Sequence, residues 1–333
     1  MYGEYNNIKI KGIAAVAPEK VIDNMDFAEK IGNRRARKQV QLTGIKRRHM
    51  VSKGQSASDM CCVAAEKLLT KLQWERDTIR AVIFVTQSAD LHTPSTAMVI
   101  QKRLKIGQDC IAFDVNLGCT GYVSGLQIIS AILNNTGGRG LLLVGDGKYA
   151  EISDVVSTDS LLFGDGASAT AIEVETENPL YYSQKTDGTR HGLLSVDLAG
   201  NLTMDGNAVL LFSLNEVSES ITDFKNHFHI HEDEIDYYIL HQAQKIILDG
   251  IANECHIEHS KILTSYEEYG NTSTATLPIT ICHNAELLKQ QKTVKLFLSG
   301  FGVGLAWSNV VLDLETEGIM PIEISNYCYN DIG

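Results

Sequence analysis

Cys119 lies where an apolar run gives way to a helical pattern, and its position makes it a candidate nucleophile. The run Ile111–Val115 predicts a buried strand, and Gly118 then permits a sharp turn. Apolar residues spaced by three or four predict a helix from Cys119 to about Asn135. A thiol at a helix N-terminus meets unpaired N–H groups and the positive end of the dipole, and both favour the nucleophilic thiolate. The alternative is a small buried cysteine, the usual environment of a free thiol.

His241 and Asn271 carry polar groups that a cysteine nucleophile needs, namely a base and donors for a developing oxyanion. His241 follows the predicted strand 235–240, so its side chain can project into a cleft at the strand end. Asn271 lies between Gly270 and Thr272, in a predicted turn before a helix. The order Cys, His, Asn is compatible with hydrolysis or amide transfer, in which Asn orients His. It is equally compatible with thioester condensation, in which both side chains stabilise the enolate left by decarboxylation.

Three other patterns have a binding interpretation and a plainer one. Residues 227–234 carry a histidine at every second position, 227, 229 and 231, and end in three acidic residues; this favours a solvated loop, and no metal site is predicted. The glycine-rich stretches 164–166 and 300–304 lack the context of nucleotide loops, which favours turns and close backbone packing. The basic run 33–38 is a solvated helix face or a contact for an anionic partner.

The composition argues against several classes of function. The net charge of −12 argues against nucleic acid as the main partner. The seven cysteines have irregular spacing and no C-x-x-C pair, which indicates free thiols in a reducing compartment. No apolar signal core and no run of about 18 apolar residues is present. We therefore expect a cytoplasmic protein without a membrane span.

Apolar runs alternate with helical patterns along the chain, which favours an α/β fold with largely parallel sheets covered on both faces. Further strands are predicted at residues 79–86, 140–144, 294–298 and 305–312, and helices at residues 56–72, 96–104, 207–224 and 243–255. The order strand, site residue, helix occurs in both halves of the chain. Pro179 marks the seam between residues 1–178, which carry Cys119, and residues 179–315, which carry His241 and Asn271; residues 316–333 form an unassigned tail.

Five short motifs occur in order: 114–121 (Asp-Val-Asn-Leu-Gly-Cys-Thr-Gly), 163–167 (Phe-Gly-Asp-Gly-Ala), 241–243 (His-Gln-Ala), 270–273 (Gly-Asn-Thr-Ser) and 300–304 (Gly-Phe-Gly-Val-Gly). Together they resemble the ketoacyl-ACP synthase III family of the thiolase superfamily, over roughly residues 8–313. The resemblance implies a thiolase-like fold of two similar α-β-α-β-α layered halves, a homodimer, and a catalytic triad of Cys119, His241 and Asn271.

The resemblance also implies two half-reactions and the residues that bind their substrates. Cys119 takes an acyl group from a thioester of coenzyme A or of acyl carrier protein (ACP). The enolate formed when a malonyl thioester loses carbon dioxide then attacks that acyl group, while His241 and Asn271 hold the enolate oxygen. Substrate-binding residues are expected at Thr93, Met204, Gly206, Phe301 and Gly302, and contacts with the carrier or coenzyme A at Arg34, Arg35, Arg37, Lys38 and Lys245. Acyl-CoA or acyl-ACP is a substrate, and no permanently bound cofactor or metal is expected.

Several positions depart from the family pattern. Family members often stack adenine between a Trp and an Arg, and those positions are Lys38 and Leu42 here. A second coenzyme-contacting Arg is replaced by Ser157, and a basic residue that often faces the carrier is replaced by Ile246. The bulky Phe that a partner subunit inserts at the acyl pocket is replaced by Thr93, which leaves room for a longer or wider acyl chain. These departures predict a specialised homologue whose donor is carried on a protein or whose coenzyme is held differently.

Two other functions stay open at this point. In one, the protein is a thioester-dependent O- or N-acyltransferase: Cys119 is loaded, and an alcohol or amine attacks with His241 as base and without decarboxylation. In the other, it is a non-catalytic subunit of a heterodimer. The complete set of Cys119, His241 and Asn271 argues against the second.

Overall fold

The computed structural model describes residues 1–27, 32–147, 161–176, 179–197 and 202–329. Within these ranges the strands are β1 (Tyr2–Tyr5), β2 (Ile8–Pro18), β3 (Lys20–Asp23), β4 (Arg47–Met50), β5 (Ile79–Val85), β6 (Ile111–Val115), β7 (Arg139–Asp146), β8 (Gly166–Val174), β9 (Leu180–Thr186), β10 (Leu194–Val196), β11 (Leu202–Met204), β12 (Tyr237–Leu240), β13 (Thr293–Gly302), β14 (Ala306–Glu315) and β15 (Glu323–Ser325). The α-helices are α1 (Asn33–Thr43), α2 (Ala57–Leu72), α3 (Thr96–Arg103), α4 (Gly121–Thr136), α5 (Gly206–Phe212), α6 (Ser218–His227), α7 (Lys245–Glu254), α8 (Tyr266–Tyr269), α9 (Thr276–His283) and α10 (Ala285–Leu288). The predicted α/β class is confirmed.

Two mixed sheets carry the fold. One has the strand order β15-β2-β8-β7-β5-β6, and the other has the order β1-β9-β14-β13-β12. Strands β7, β5 and β6 are parallel, as are β12 and β13, whereas β8 and β14 run antiparallel to both of their neighbours. The prediction of largely parallel sheets is therefore wrong. Strands β13 and β14 are joined by only three residues, 303–305, and so short a connection permits only an antiparallel pair.

The sheets and helices stack in five layers, α-β-α-β-α, with one sheet from each half of the chain. Helices α4 and α9 form the middle layer, because their apolar residues share one core with strands of both sheets. Helices α2 and α3 cover the outer face of the six-stranded sheet. Helices α6 and α7 cover the outer face of the five-stranded sheet. The thiolase-like layering expected from the resemblance is therefore present across the two halves.

Local sequence features explain how two of these helices are placed. Ser56 is the N-cap of α2: it accepts a hydrogen bond from the backbone N–H of Asp59, and the Asp59 side chain accepts one from the backbone N–H of Ser56. Helix α4 lies close to the six-stranded sheet because Gly125 has no side chain. A Cβ at that position would be 2.6 Å from Leu142. This close packing holds the first turns of α4 against the sheet, two residues after Cys119.

Each end of the chain adds one strand to the sheet that the other half mainly forms. Strand β1 pairs with β9 in the five-stranded sheet, and β15 pairs with β2 in the six-stranded sheet. Part of the predicted tail is therefore ordered, as a turn at Thr316–Gly318 and as β15. Residues 177–178, at the predicted seam, and residues 330–333 lie outside the described residues, and the domain limits stay a prediction. None of the described helices has the length and apolar character needed to span a bilayer.

Candidate active site

Cys119 lies in the turn between β6 and α4, beneath the end of β13 from the other sheet. Gly302, at that end, has a φ of 148°, which side chains rarely adopt, and a Cβ there would be 2.9 Å from the Cys119 sulfur. A Cβ at Gly300 would be 2.8 Å from the carbonyl oxygen of Cys119. The glycines in 300–304 therefore allow one sheet to close over the nucleophile of the other, and the predicted close backbone packing is confirmed.

The Cys119 thiol is buried, and burial raises its pKa to about 12. The carboxyl of Asp146 raises this pKa further, whereas hydrogen bonds from the backbone N–H groups of Val303 and of Cys119 itself lower it. The expectation that the helix favours a thiolate is therefore wrong for this closed cavity. The helix begins at Gly121, two residues after Cys119, and desolvation of the charged sulfur outweighs the nearby N–H groups. The nucleophile rests as a neutral thiol.

His241 follows β12 and is held on three sides. Its backbone N–H donates to the carbonyl oxygen of Ser299 at 2.8 Å. Its Nδ1 is 2.8 Å from Oγ1 of Thr276, and the Phe301 ring meets the imidazole edge to face at 5.6 Å. Burial lowers the pKa of His241 to about 3, so the imidazole is neutral at physiological pH. Its Nε2 has no hydrogen-bond partner among the described residues, and this nitrogen is available to a substrate.

Asn271 is anchored by its backbone and oriented by its own turn. Its N–H donates to the carbonyl oxygen of Leu162 at 2.8 Å, and its carbonyl oxygen accepts from Gly164 at 3.0 Å. Its Oδ1 accepts from the backbone N–H of Ser273 at 2.9 Å. This bond identifies the oxygen of the amide, because an N–H donor requires an acceptor. The Nδ2 amide is thereby left as the donor available to a substrate.

Cys119, His241 and Asn271 line one cavity, so the structure brings the predicted triad together. Much of the remaining wall is apolar and includes Leu162, Phe163, Leu194, Val196, Leu202, Met204, Val209, Ile247, Phe301 and Val303. A neutral imidazole beside a neutral thiol can take the thiol proton as a nucleophile forms. Two side-chain nitrogens in a largely apolar cavity can also stabilise a developing enolate oxygen.

The other predicted substrate-binding residues divide into two groups. Met204, Phe301 and Gly302 line the cavity. Gly206, at the start of α5, is exposed and does not line it, because the helix turns this residue away from the wall. Thr93 lies on an exposed loop and does not line the cavity of its own chain. Its predicted contact was with the pocket of a partner subunit, and that stays a prediction.

The predicted carrier contacts lie on and beside α1. Arg34, Arg35, Arg37 and Lys38 are exposed, and among the described residues none of them has an ion-pair partner. We call these four residues the basic face of α1. The end of α1 reaches α7, because a Cβ at Gly44 would be 2.9 Å from the Lys245 side chain. Lys245 itself pairs with Asp249, and Ile247 in the same turn of α7 lines the cavity.

Asp146 is a buried group near the site that sequence analysis did not identify. It accepts hydrogen bonds from the backbone N–H of Gln87 at 2.7 Å and from the hydroxyls of Thr86 and Thr274 at 3.1 and 3.0 Å. Gln87 lines the cavity, so Asp146 connects one wall to the turn that follows Asn271. A polar residue ending the apolar run of β7 was the available signal. It became informative only once β7 was known to run parallel to the strand that precedes Cys119.

Three sequence expectations outside the cavity can also be located. His227 stacks on Tyr2 with ring centroids 4.0 Å apart, and the described part of the chain contains no group of three or more side chains suited to a metal ion. Trp74 and Trp307 are both buried in the core, and neither is placed to clamp an adenine at the surface. Ser157 lies outside the described residues. All seven cysteines are described, and all are free thiols.

Comparison with known proteins identifies relatives over nearly the whole chain. Two family models match: 3-oxoacyl-[acyl-carrier-protein] synthase III over residues 113–188, and the C-terminal part of the same enzyme over residues 226–314. The beta-ketoacyl-[acyl-carrier-protein] synthase III of Lactococcus lactis is 31% identical over 324 residues, and that of Streptococcus gordonii is 33% identical over 330; each match covers 92% of this chain and 99% of the relative. The crystal structure of a 3-oxoacyl-(acyl-carrier protein) synthase from Burkholderia xenovorans superimposes with a TM-score of 0.92 at 30% identity, over 98% of this chain and 99% of that one.

Proposed function

This chain belongs to the beta-ketoacyl-[acyl-carrier-protein] synthase III family, and we propose that it condenses an acyl thioester with a malonyl thioester through an acyl group on Cys119. The observation that carries the proposal is the single cavity lined by Cys119, His241 and Asn271. The cavity supplies a nucleophile, a proton acceptor and two nitrogens for an enolate oxygen. No bound cofactor or metal has a part in the proposed reaction.

The first half-reaction is loading of Cys119. The sulfur attacks the carbonyl carbon of the acyl thioester while His241 takes its proton, since both groups are neutral before substrate arrives. The backbone N–H groups of Cys119 and Val303 face this sulfur and are the donors for the oxyanion of the tetrahedral intermediate. The glycine before Val303 allows that N–H to come so close.

The second half-reaction is decarboxylative. A malonyl thioester enters the same cavity and loses carbon dioxide, and the enolate carbon attacks the acyl carbon on Cys119. Nδ2 of Asn271 and Nε2 of His241 hold the enolate oxygen, because both nitrogens lack partners among the described residues. A neutral His241 could also serve as base for an alcohol or amine, which is the acyltransferase alternative.

The experiment that tests the function separates the two half-reactions. Purified protein is incubated with acyl thioesters of graded chain length, and intact mass spectrometry identifies which acyl group is retained on Cys119. Release of carbon dioxide from malonyl thioester is then measured with the loaded protein. Loading together with carbon dioxide release supports condensation, whereas loading followed by acyl transfer to an alcohol or amine without release supports the acyltransferase.

We propose ACP, rather than free coenzyme A, as the carrier of the acyl donor. Lys38 and Leu42 occupy the positions at which relatives often clamp adenine, and both tryptophans are buried elsewhere. The basic face of α1 offers four exposed cations to an acidic partner. An acyl carrier protein could supply through its own surface the affinity that an adenine clamp gives coenzyme A.

A homodimer is the proposed assembly. Strand β6, which leads to Cys119, is an edge strand among the described residues. Its first residue, Ile111, is 45% exposed, Met98 on the neighbouring helix α3 is 50% exposed, and Leu91 in the loop before α3 is 48% exposed. An apolar edge strand of this kind favours pairing with a second copy about a two-fold axis. Light scattering at micromolar concentration should then give twice the chain mass of 36.6 kDa. A mass equal to one chain would contradict the dimer. The cytoplasmic location stays a prediction.

A further inference from the structure

Thr276 is a buried residue that contacts the His241 ring from behind and does not line the cavity. Its Oγ1 is 2.8 Å from Nδ1 of His241 and donates a hydrogen bond of 3.2 Å to the carbonyl oxygen of Ser273. A hydroxyl has only one hydrogen to donate. Because the Ser273 carbonyl oxygen can only accept, we assign the hydroxyl hydrogen to it, and Nδ1 of His241 is then the donor to Thr276. The unprotonated ring nitrogen is then Nε2, which is the one left for a substrate.

We propose that Thr276 is a positioning residue of the condensation, which keeps Nδ1 of His241 protonated so that Nε2 takes up and returns the proton that each half-reaction moves. The inference rests on the function proposed above. It adds a residue that touches neither substrate and belongs to none of the motifs around Cys119, His241 and Asn271.

During loading one proton passes from the Cys119 thiol to His241 and then to the leaving thiolate. Nε2 takes the proton of the Cys119 thiol as the sulfur bonds to the acyl carbon. The bond between that carbon and the donor sulfur then breaks, and Nε2 gives the proton to the leaving thiolate. The products are acyl-Cys119 and a free thiol, so no net proton is taken up. Throughout, Nδ1–H donates to Thr276, and the ring carries a positive charge only between the two transfers.

Condensation needs one proton from solvent water, because the malonyl carboxylate leaves as carbon dioxide and a Cys119 thiolate is released. The negative charge of the malonyl carboxylate favours a positively charged ring, so that proton occupies Nε2 as the malonyl thioester binds. When the bond to carbon dioxide breaks, its electrons form the enolate, and Nε2–H and Nδ2 of Asn271 donate to the enolate oxygen. The new carbon–carbon bond forms, the bond from the acyl carbon to Cys119 breaks, and Nε2 returns the proton to the sulfur.

Thr276 matters most when the ring is charged. Burial disfavours the imidazolium and lowers the pKa of His241, whereas the hydrogen bond from Nδ1–H to Thr276 favours the charged ring. A bond between a charged donor and a neutral acceptor is stronger than one between neutral groups. Removing the hydroxyl should therefore slow both proton transfers and leave substrate binding unchanged.

Three variants test the assignment. Thr276→Val removes the hydroxyl and keeps the shape, and Thr276→Ser restores the hydroxyl. Thr280→Val is the matched control: Thr280 is one turn along α9, equally buried, and its hydroxyl bonds to the Thr276 carbonyl oxygen at 2.8 Å rather than to His241. Loading of Cys119 is followed over a range of acyl-thioester concentrations. Alkylation of the Cys119 peptide by iodoacetamide, which needs no acyl substrate, is followed by peptide mass spectrometry.

We expect Thr276→Val to lower the maximal loading rate about ten- to hundredfold, the usual effect of losing a hydrogen bond to a charged group, with an unchanged half-saturating concentration. Alkylation of Cys119 should slow as well, and Thr276→Ser should restore both rates. Thr276→Val as fast as Thr280→Val, or Thr276→Ser as slow as Thr276→Val, would overturn the inference. If wild-type protein accepts no acyl group but Thr276→Val still slows alkylation, the proposed function fails and the role of Thr276 stands.

Discussion

Two regions differ in how their functional groups are held: Cys119, His241 and Asn271 in the cavity, here called the floor, and the basic face of α1 beside α7, here called the mouth. At the floor, Cys119, His241 and Asn271 are each less than 10% exposed and are held by backbone contacts and one buried hydroxyl. At the mouth, the basic face of α1 is exposed, and its four cations have no ion-pair partner in the described part of the chain. The floor is therefore preorganised before a substrate arrives, whereas the charges at the mouth are exposed and available to a partner.

This difference assigns separate tasks to the two regions. Burial at the floor suppresses charge, because it raises the pKa of Cys119 and lowers that of His241. The chemistry there proceeds by moving a proton between neutral groups. The mouth keeps full charges in water, where they attract a partner over a distance but add little energy each. Substitutions at the floor should therefore change rates strongly, and substitutions at the mouth should change the choice of donor weakly.

The largest expected effect is that of Cys119→Ser. An alcohol lacks the nucleophilicity of a thiolate, so no acyl-enzyme should be detectable by intact mass. Six other cysteines remain as internal controls, and Cys110 and Cys328 are partly exposed. Acylation of the variant at one of these would show that Cys119 is not the nucleophile.

The next effect concerns the two donors to the enolate. His241→Ala and Asn271→Ala should each lower malonyl decarboxylation on the order of 10² to 10³-fold, as loss of one oxyanion donor does. Asn271→Ala should still load Cys119, because its amide is not needed to take the thiol proton. His241→Ala should load more slowly, since the proton acceptor is lost. Decarboxylation that stays unchanged in both variants would favour the acyltransferase alternative.

The floor could be predicted from the sequence because its constraints are local. Each site residue follows an apolar strand or lies in a glycine turn, and the sequence shows Cys119 after Gly118 and Asn271 after Gly270. The sequence could not predict that Cys119 is a neutral thiol rather than a thiolate. The pKa of Cys119 depends on β13, which lies about 180 residues later and closes over the sulfur. Local sequence indicates a strand end but not what covers it.

Long-range pairing explains the other differences. The periodicity of β8 and β14 indicates strands but carries no information about direction, so both were expected in parallel sheets. Strand β15 has only three residues and is stabilised by pairing with β2, more than 300 positions earlier. The role of Thr276 could not be predicted for a similar reason. In the sequence it is an ordinary helix residue, and only the packing of α9 behind His241 shows the contact between them.

At the mouth, reversing two charges should change the choice of donor about tenfold. Arg35→Glu with Arg37→Glu should slow loading from acyl-ACP by that factor, since exposed pairs contribute about 0.2–1 kcal/mol each and reversal adds repulsion. Loading from an acyl-pantetheine thioester, which lacks both carrier and nucleotide, should stay within about twofold. Lys289→Glu with Lys292→Glu, on another exposed surface, makes the same charge change and is the matched control.

Salt provides a second measurement on the same variants. The wild-type preference for acyl-ACP over acyl-CoA should shrink as salt rises, because charges separated by more than about 8 to 10 Å are screened. The Arg35→Glu, Arg37→Glu protein should show little of this salt dependence. Equal loading from both donors at every salt concentration would indicate that the basic face of α1 does not select the donor.

The smallest expected effect is that of pH on the rate at which Cys119 is loaded. The pKa of His241 is lowered to about 3, so the imidazole stays neutral, and able to accept a proton, down to well below pH 6. The pKa of Cys119 is raised to about 12, so the thiol stays protonated up to well above pH 9. If the proton passes directly from sulfur to Nε2, loading from acyl-pantetheine should vary less than about threefold between pH 6 and 9. A rate that reaches a plateau near pH 9 and falls about tenfold per pH unit below it would reveal a preformed thiolate that titrates inside this window. A rate that rises about tenfold per pH unit from pH 6 to 9 without a plateau would mean that solvent removes the proton and that His241 is not the acceptor.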